Sequence, residues 1–404
     1  MSSSSSSSSF GPSDAEDRRV ASVAATGLLG TGPEERFDRI TRLAQELLDA
    51  PMSYLNLVDD VSLVVKSPQV VGEPAPRFPY GTAFCEYTVH GVGVFEVPDA
   101  QADPRFAHTP AVTEFGVRSY AGVPLRAGDG EAVGTLCVMR PDPRTLSAAE
   151  RARLAELGRW AEGELRAGAP GRSVPLDRSR GLRVDGVVSA LSVPFGEVSG
   201  DLHSWRRDGS GLTVTVGDVM GKGVVAGGLA ERLRASLDSP AGPASGSDSD
   251  PDSGPAAALA RAARELEPRL AELGAFVTLF HARVDDSGRV DYVDAGHGLT
   301  VVVPAVPTAP VERLASRDLP LGVQDAASGW AMRSLQLQPG DTLLSVTDGV
   351  LELDDSTLDS LLRLAEDLRA RSDVDGFLDG VAARVEVAGT DDDVTVLVVT
   401  VPPR

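Results

Sequence analysis

Apolar runs of strand length that begin or end on an aspartate recur through the second half of the chain, and they constrain it more than any other feature. Asp201 closes VSGD, Asp218 follows LTVTVG, Asp348 follows LLSVT, and Asp392 stands just before VTVLVV. Valine- and leucine-rich runs bounded by Gly, Asp and Ser read as strands. The four carboxylates therefore fall at strand ends, where a sheet sandwich can bring them to one edge. Converging carboxylates repel unless a cation neutralises them, and hard oxygen donors select Mg2+ or Mn2+. Singly, an aspartate beside a glycine is more often a turn residue bonded to its own backbone. Four of them in these strand contexts point to a site.

The 404 residues allow two or three domains. A composition 42% hydrophobic and 24% charged is globular, and no apolar run approaches the ~20 residues that a bilayer span needs. The start, MSSSSSSSSF, lacks the basic and apolar regions of a secretory signal, so a cytoplasmic chain with no membrane contact is expected. A net charge of −21 argues against nucleic acid as a partner, because phosphate binding relies on clustered Lys and Arg. Cys85 and Cys137 are too few for a disulfide framework. Both lie in hydrophobic contexts with no neighbouring Lys or Arg, which favours buried apolar thiols over a redox pair.

Residues 1–19 open on a serine run and are expected to be a disordered tail. From Glu34 to Asp49, Phe37, Ile40, Leu43 and Leu47 recur at helical spacing, and Pro51 ends the helix. SYLNLVDD, SLVVKS and GVFEVPD read as strands. YAGVPLRAGDGEAVGTLCVMR reads as a hairpin turning at Gly128-Asp129-Gly130. Ser147 and Glu150 form a capping-box signature for a helix with Leu154, Leu157, Ala161 and Leu165 on one face. In the second half, RVDGVVSALSVPFGEVSGD and GLTVTVGDVMGKG lead into two helical stretches, AGGLAERLRASLD and AAALARAARELEPRLAEL. The Ser, Pro, Gly and Asp of residues 239–255 between them predict a mobile loop. FVTLFHARV, RVDYVDAGH, DTLLSVTDGV and DDVTVLVVTV are further strands, and TLDSLLRLAEDLRAR and DGFLDGVAARV are late helices.

Residues 20–166 resemble a GAF domain, on RFDRITRLAQELLDAPMSYLNLVDD, FCEYTV, VPDAQADPRFAHTPAV and RSYAGVPLRAGDGEAVGTLCVM. That resemblance implies a sensor or dimerisation module, with a pocket for an unidentified small-molecule or protein signal and a homodimer as one assembly. Residues 183–402 resemble the SpoIIE-like branch of the metal-dependent PPM/PP2C phosphatases. The motifs are VSGDLHSW, LTVTVGDVMGKGVVAGGLAERLRASL, FVTLFHARVDDSGRVDYVDAGH, LPLG, LQPGDTLLSVTDGVLE and DDDVTVLVV. The expected fold class is α+β, a GAF domain with an antiparallel sheet and helices followed by a PP2C-like α-β-β-α sandwich. The expected layout is a tail over 1–19, the GAF domain over 20–166, a linker over 167–182 and the phosphatase domain over 183–404.

This second resemblance implies serine/threonine phosphoprotein substrates and two Mn2+ or Mg2+ ions. Asp218 would bridge both ions, and the backbone carbonyl of Val219 would serve one of them. Asp348 and Asp392 would be the other carboxylate ligands, with Asp201 in the shell or just outside it. Asp218 and Asp348 are the residues expected to carry catalysis. The implied substrate is a phosphorylated anti-anti-sigma factor of the STAS type, in sigma-factor control. A phosphoserine monoester is dianionic and resists an anionic nucleophile. Two cations would lower the pKa of a bridging water and screen the phosphoryl oxygens.

The chain departs from the family's pattern in three places, one of them a lengthened and acidic connection between the two helices after GDVMGKG. Ser199-Gly200-Asp201 is followed by Leu202, His203 and Ser204 where the family carries two aromatics and a second Asp, and Gly298-Leu299 follows Gly296-His297 where Asn-Pro is usual. The rival expectation is a weak or inactive pseudophosphatase that binds a partner. GDVMGKG is no nucleotide-binding loop, because three residues rather than four separate Gly217 from Gly221 and Gly223 follows the Lys. Lys222 is either solvent-facing or paired with an acid. His297 is either a proton donor to a leaving group or, the favoured reading, a hydrogen-bonded turn residue. His203 is expected at the surface, and His90, His108 and His281 carry no partner pattern.

Overall fold

In the computed structural model, residues 12–29, 31, 34–60, 62–70, 77–79, 84–167, 179–184, 187–196, 198–208, 211–238, 254–371 and 373–402 are described. The chain divides into two units, residues 1–33 with 40–169 and residues 34–39 with 170–404.

The first unit begins with α1 (Pro12–Ala25) and continues through α2 (Glu35–Leu48), of which residues 40–48 belong here. Then come β1 (Met52–Val58), β2 (Ser62–Gln69), β3 (Arg77–Pro79), α3 (Cys85–Val89), β4 (Phe95–Val97) and α4 (Pro110–Thr113). The hairpin of β5 (Ser119–Arg126) and β6 (Ala132–Arg140) and the closing helix α5 (Ala148–Ala167) complete it. One antiparallel sheet results, in the order β3-β2-β1-β6-β5-β4. The capping box forms as expected: the Ser147 N–H donates to Glu150 Oε2 at 2.7 Å and the Glu150 N–H to Ser147 Oγ at 3.2 Å. Helix α5 buries Leu154, Leu157, Trp160, Ala161 and Leu165. Each of these leucines removed from water contributes about 1.5–3 kcal/mol before entropy is counted. In α2, Ile40, Leu43, Ala44 and Leu48 are buried, so Leu48 rather than Leu47 ends the apolar stripe.

One correction concerns the tail. Residues 12–19, expected to be disordered, lie in α1. Pro12 at the helix start, followed by Asp14, Glu16 and Asp17, suits a helix N-terminus. Residues 1–11 lie outside the described residues.

The second unit is built from two antiparallel sheets. Its strands are β7 (Ser179–Val184), β8 (Val188–Val193), β9 (Asp201–Asp208), β10 (Gly211–Val219), β11 (Val277–Asp285) and β12 (Arg289–Ala295), then β13 (Thr300–Val303), β14 (Glu312–Leu314), β15 (Arg333–Gln336), β16 (Thr342–Val346) and β17 (Val394–Thr400). One sheet runs β15-β12-β11-β10-β9 and the other β14-β13-β16-β17-β8-β7. Helices α6 (Val224–Asp238) and α7 (Pro255–Leu273) cover the first, and α8 (Leu358–Ala370) and α9 (Val374–Ala388) the second.

Three apolar layers hold this sandwich together. Between the sheets, Val214, Val216, Phe280 and Ala282 meet Val188, Leu343, Leu397 and Val399. Leu229, Leu233, Leu266 and Leu270 pack on Val277, Leu279 and Val293, while Leu361, Leu364, Phe377 and Val381 pack on Val301, Leu344, Val396 and Val398. Successive residues of β17 thus serve opposite layers, which is why VTVLVV is continuously apolar rather than alternating. The α-β-β-α sandwich is the expected one. The expected linker 167–182 differs at both ends: Ala167 ends α5, and residues from Ser179 onward form β7, paired with β8. Residues 168–178 of it, and 239–253 of the loop expected to be mobile, lie outside the described residues.

Candidate functional site

Asp201 opens β9 and Asp218 is the penultimate residue of β10, and the two face each other in the ladder between these strands. Val219 then ends β10, its N–H donating to the Gly200 carbonyl at 3.2 Å. Gly221 and Gly223 follow at φ of 97° and 76°, which permits the tight turn read from the sequence.

The other sheet supplies the rest. Asp348 opens a 3-10 turn, Asp348–Leu353, directly after β16, and Asp392 precedes β17. The turn lies against the start of β17: a Cβ on Gly349 would come within 2.1 Å of the Asp393 carbonyl oxygen, so only glycine permits this approach. Two pairs of aspartates, one from each sheet, are brought to one edge of the sandwich.

Neighbouring residues fix that edge. Thr347 Oγ1 donates to Asp201 Oδ2 at 2.7 Å and accepts the Thr395 N–H at 2.9 Å. The buried Asp393 accepts the Phe195 N–H at 2.6 Å and the Gly200 N–H at 2.7 Å, tying the loop before Asp201 to the strand after Asp392. Lys222 Nζ lies 3.3 Å from Asp392 Oδ1 and 4.6 Å from the centre of the Phe195 ring. Of the two readings open for Lys222, pairing is the one observed.

The carboxylates act on one another. Burial, followed by the charge of Asp348, raises the Asp218 pKa well above the usual range. Burial and Asp393 do the same to Asp201. Burial and Asp348 push Asp392 up to about 6, with Lys222 opposing. Glu352, in the 3-10 turn, is pushed up to about 7, chiefly by burial, while the Asp391 N–H donates to it at 2.8 Å and opposes the rise. A set of hard oxygen donors that resist ionising together is chemically matched to a divalent cation. Among the described residues no group of three or more His, Cys, Asp or Glu side chains is arranged to hold a metal ion as it stands. Three of the four aspartates instead engage protein groups: Asp392 with Lys222, Asp201 with Thr347, and Asp348 with Arg39 at 3.5 Å.

The histidines stand apart from this chemistry. His297 is buried, donates its N–H to Asp294 Oδ1 at 2.8 Å, and places Nε2 3.2 Å from Ser345 Oγ. Burial lowers its pKa to about 3, so the ring is neutral near pH 7 and the turn reading stands. His203 is partly buried, not at the surface, with its ring 6.0 Å from that of Trp205. His281, which showed no partner in the sequence, bonds Thr215 Oγ1 through Nδ1 at 2.8 Å. The sequence reading missed Thr347, Asp393 and Glu352. Thr347 and Asp393 adjoin named aspartates, but nothing in a DDD run says which member caps a distant loop.

Comparison with known proteins finds two families along the chain. Residues 32–165 match the GAF domain family, and residues 208–402 match the family described as stage II sporulation protein E (SpoIIE), in that order. The SpoIIE match includes Asp218, Val219, Asp348 and Asp392 and begins after Asp201. The chain is 25% identical over 168 residues to phosphoserine phosphatase RsbU of Bacillus subtilis (strain 168), covering 41% of this chain and 46% of that protein. It is 37% identical over 130 residues to cyclic di-GMP phosphodiesterase PA2567 of Pseudomonas aeruginosa, covering 32% of this chain and 22% of that protein. It therefore spans less than half the length of either relative. Among solved structures, the RsbU and RsbW domains of Rv1364c from Mycobacterium tuberculosis are similar at a TM-score of 0.43 and 23% identity, covering 58% of this chain and 65% of that one.

Proposed function

We propose that the chain is a metal-dependent protein serine/threonine phosphatase, its catalytic domain spanning 183–404 and regulated by a GAF domain spanning 20–166. The observation that carries this reading is the arrival of Asp218 and Asp348 from different sheets at one edge, close enough that Asp348 is the leading charge raising the Asp218 pKa. Asp218, Asp348, Asp392 and the Val219 carbonyl would hold two Mn2+ or Mg2+ ions, with Asp201 in or beside that shell. When bound, the cations supply a lowered water pKa and screening of the phosphoryl charge. The protein's own part is positional. Thr347 aims Asp201, Asp393 fixes the loop carrying it, and Lys222 holds Asp392 at the rim. The SpoIIE-type match and the likeness to a phosphoserine phosphatase support a phosphoprotein substrate. A phosphorylated STAS-type anti-anti-sigma factor is the substrate we assign, with a small-molecule or protein signal acting at the GAF domain.

A second reading, a partner-binding pseudophosphatase, draws on the segment after Asp201. Leu202 is core, and the Ser204 hydroxyl donates to Asp238 Oδ1 at 3.1 Å, away from the four aspartates. Turnover of para-nitrophenyl phosphate and of a phosphoserine peptide, with and without millimolar Mn2+, separates the two. Mn2+-dependent release of phosphate supports the phosphatase, and none on either substrate supports the binding module.

A further inference from the structure

Cys85 and Cys137 lie 52 positions apart in the sequence, yet the fold of the first unit brings their thiols together. Cys85 opens α3, Cys137 sits within β6, and both are buried, at 1% and 0% exposure. Across the β1–β6 ladder Tyr54 pairs with Cys137 and Asn56 with Thr135, so these side chains share one face of the sheet. Above that face, Asn56 Nδ2 donates to Cys85 Sγ at 3.4 Å and the Tyr120 hydroxyl lies 3.8 Å from the same sulfur. A Cβ on Gly122 would meet that same hydroxyl at 2.3 Å and Cys137 Cβ at 3.1 Å, so Tyr120 stands beside both cysteines, which share one buried cluster. The influence of each thiol on the other is unequal. It holds Cys85 below the usual thiol range and Cys137 above it, the asymmetry that separates an attacking from a resolving cysteine. Asn56 Oδ1, also buried, has no hydrogen-bond partner among the described residues, leaving an acceptor free beside Cys85. The sequence favoured inert thiols because no Lys or Arg adjoins either; the polarising groups here arrive from other strands.

We propose that Cys85 and Cys137 form a dithiol site that a small hydroperoxide converts into an intramolecular disulfide. In the first step the Cys85 thiolate attacks a peroxide oxygen. An S–O bond forms, the O–O bond breaks, and the departing oxygen takes up a proton as water or alcohol, leaving Cys85 as a sulfenic acid whose O–H can donate to Asn56 Oδ1. In the second step the Cys137 sulfur attacks Cys85. The S–S bond forms, the S–O bond breaks, and the hydroxyl leaves as water with the Cys137 proton. Two thiols lose two electrons in total and the peroxide gains them. The product ties α3 to a central strand of the sensor sheet.

The test exposes the full chain to hydrogen peroxide and follows thiol titration after denaturation, intact mass and non-reducing peptide mapping. Two titratable thiols should fall to none, with loss of two hydrogens, a mapped 85–137 cross-link, and reversal by dithiothreitol. In Cys137→Ser, dimedone should trap a sulfenic acid at Cys85. In Cys85→Ser, Cys137 should keep its thiol under the same exposure. Wild-type protein that retains both thiols, or oxidises without the 85–137 link, overturns the proposal. That wild-type arm decides even where a variant fails to fold.

Discussion

Asp201 and Asp218 stand directly opposite each other across the ladder between β9 and β10. Like charges in that position destabilise a sheet, and burial leaves both with raised pKa values. A fold selected for stability alone would place a Thr pair or an ion pair there. The cost is understandable if the two carboxylates serve a cation that the folded protein binds.

Asp218→Asn and Asp348→Asn should each cut Mn2+-dependent turnover of para-nitrophenyl phosphate by more than about 100-fold, the upper range for losing even an outer-shell partner of a metal site. Circular dichroism should be unchanged. The metal-free melting temperature of Asp218→Asn should match or exceed wild type, because the substitution removes a like-charge opposition. Turnover retained in both variants would dissociate these residues from the chemistry.

Cation binding should also be visible without catalysis. At Mn2+ near 100 times its dissociation constant, a site present only in the folded state adds about 2.7 kcal/mol of stability. Differential scanning fluorimetry should show the transition rise with Mn2+ in wild type and stay flat in Asp218→Asn. A wild-type transition indifferent to millimolar Mn2+ and Mg2+ contradicts the metal assignment.

Much of this arrangement was legible in the chain. The capping box of Ser147 and Glu150, the hairpin at Asp129, and the four aspartates at strand ends depend on near neighbours and on burial patterns that a sequence displays. What escaped was non-local or short. Strand β14 covers only Glu312–Leu314, too brief for a period to register. Asp393 owes its role to amides almost 200 positions earlier, at Phe195 and Gly200. The meeting of Cys85 and Cys137 depends on where a short helix, Cys85–Val89, lands on a sheet.

Asp393→Ala should leave two amide donors without that partner, the buried one at Gly200 and the partly buried one at Phe195, a buried orphan costing about 1–3 kcal/mol. Urea unfolding should therefore show a loss of roughly 2 kcal/mol or more, and turnover should fall because the loop that carries Asp201 is released. Asp393→Asn, which keeps one oxygen acceptor, should recover part of both. Equal stability of the alanine variant and wild type would show that the Phe195 and Gly200 amides find other partners.

Asp294 offers a pH test at a carboxyl outside the four aspartates. It is buried, and it accepts the His297 N–H at 2.8 Å and the Gly298 N–H at 3.0 Å. Burial, opposed by these bonds and by Ser316, pushes its pKa up from 3.8 to about 6. A carboxyl raised on folding is held protonated more tightly by the folded state. Its contribution to stability is complete below about pH 4 and is lost as pH rises through about 6. A shift of about two units at 1.36 kcal/mol each bounds the loss near 3 kcal/mol. Asp294→Asn keeps an oxygen for the amides and cannot ionise. The depressed pKa of His297, which acts in the opposite direction as pH falls, is common to both proteins. Between pH 4 and pH 7, urea unfolding should shift in favour of Asp294→Asn relative to wild type by about 1–3 kcal/mol. A difference that stays constant across that range would mean that Asp294 ionises as readily in the folded chain as in the unfolded one.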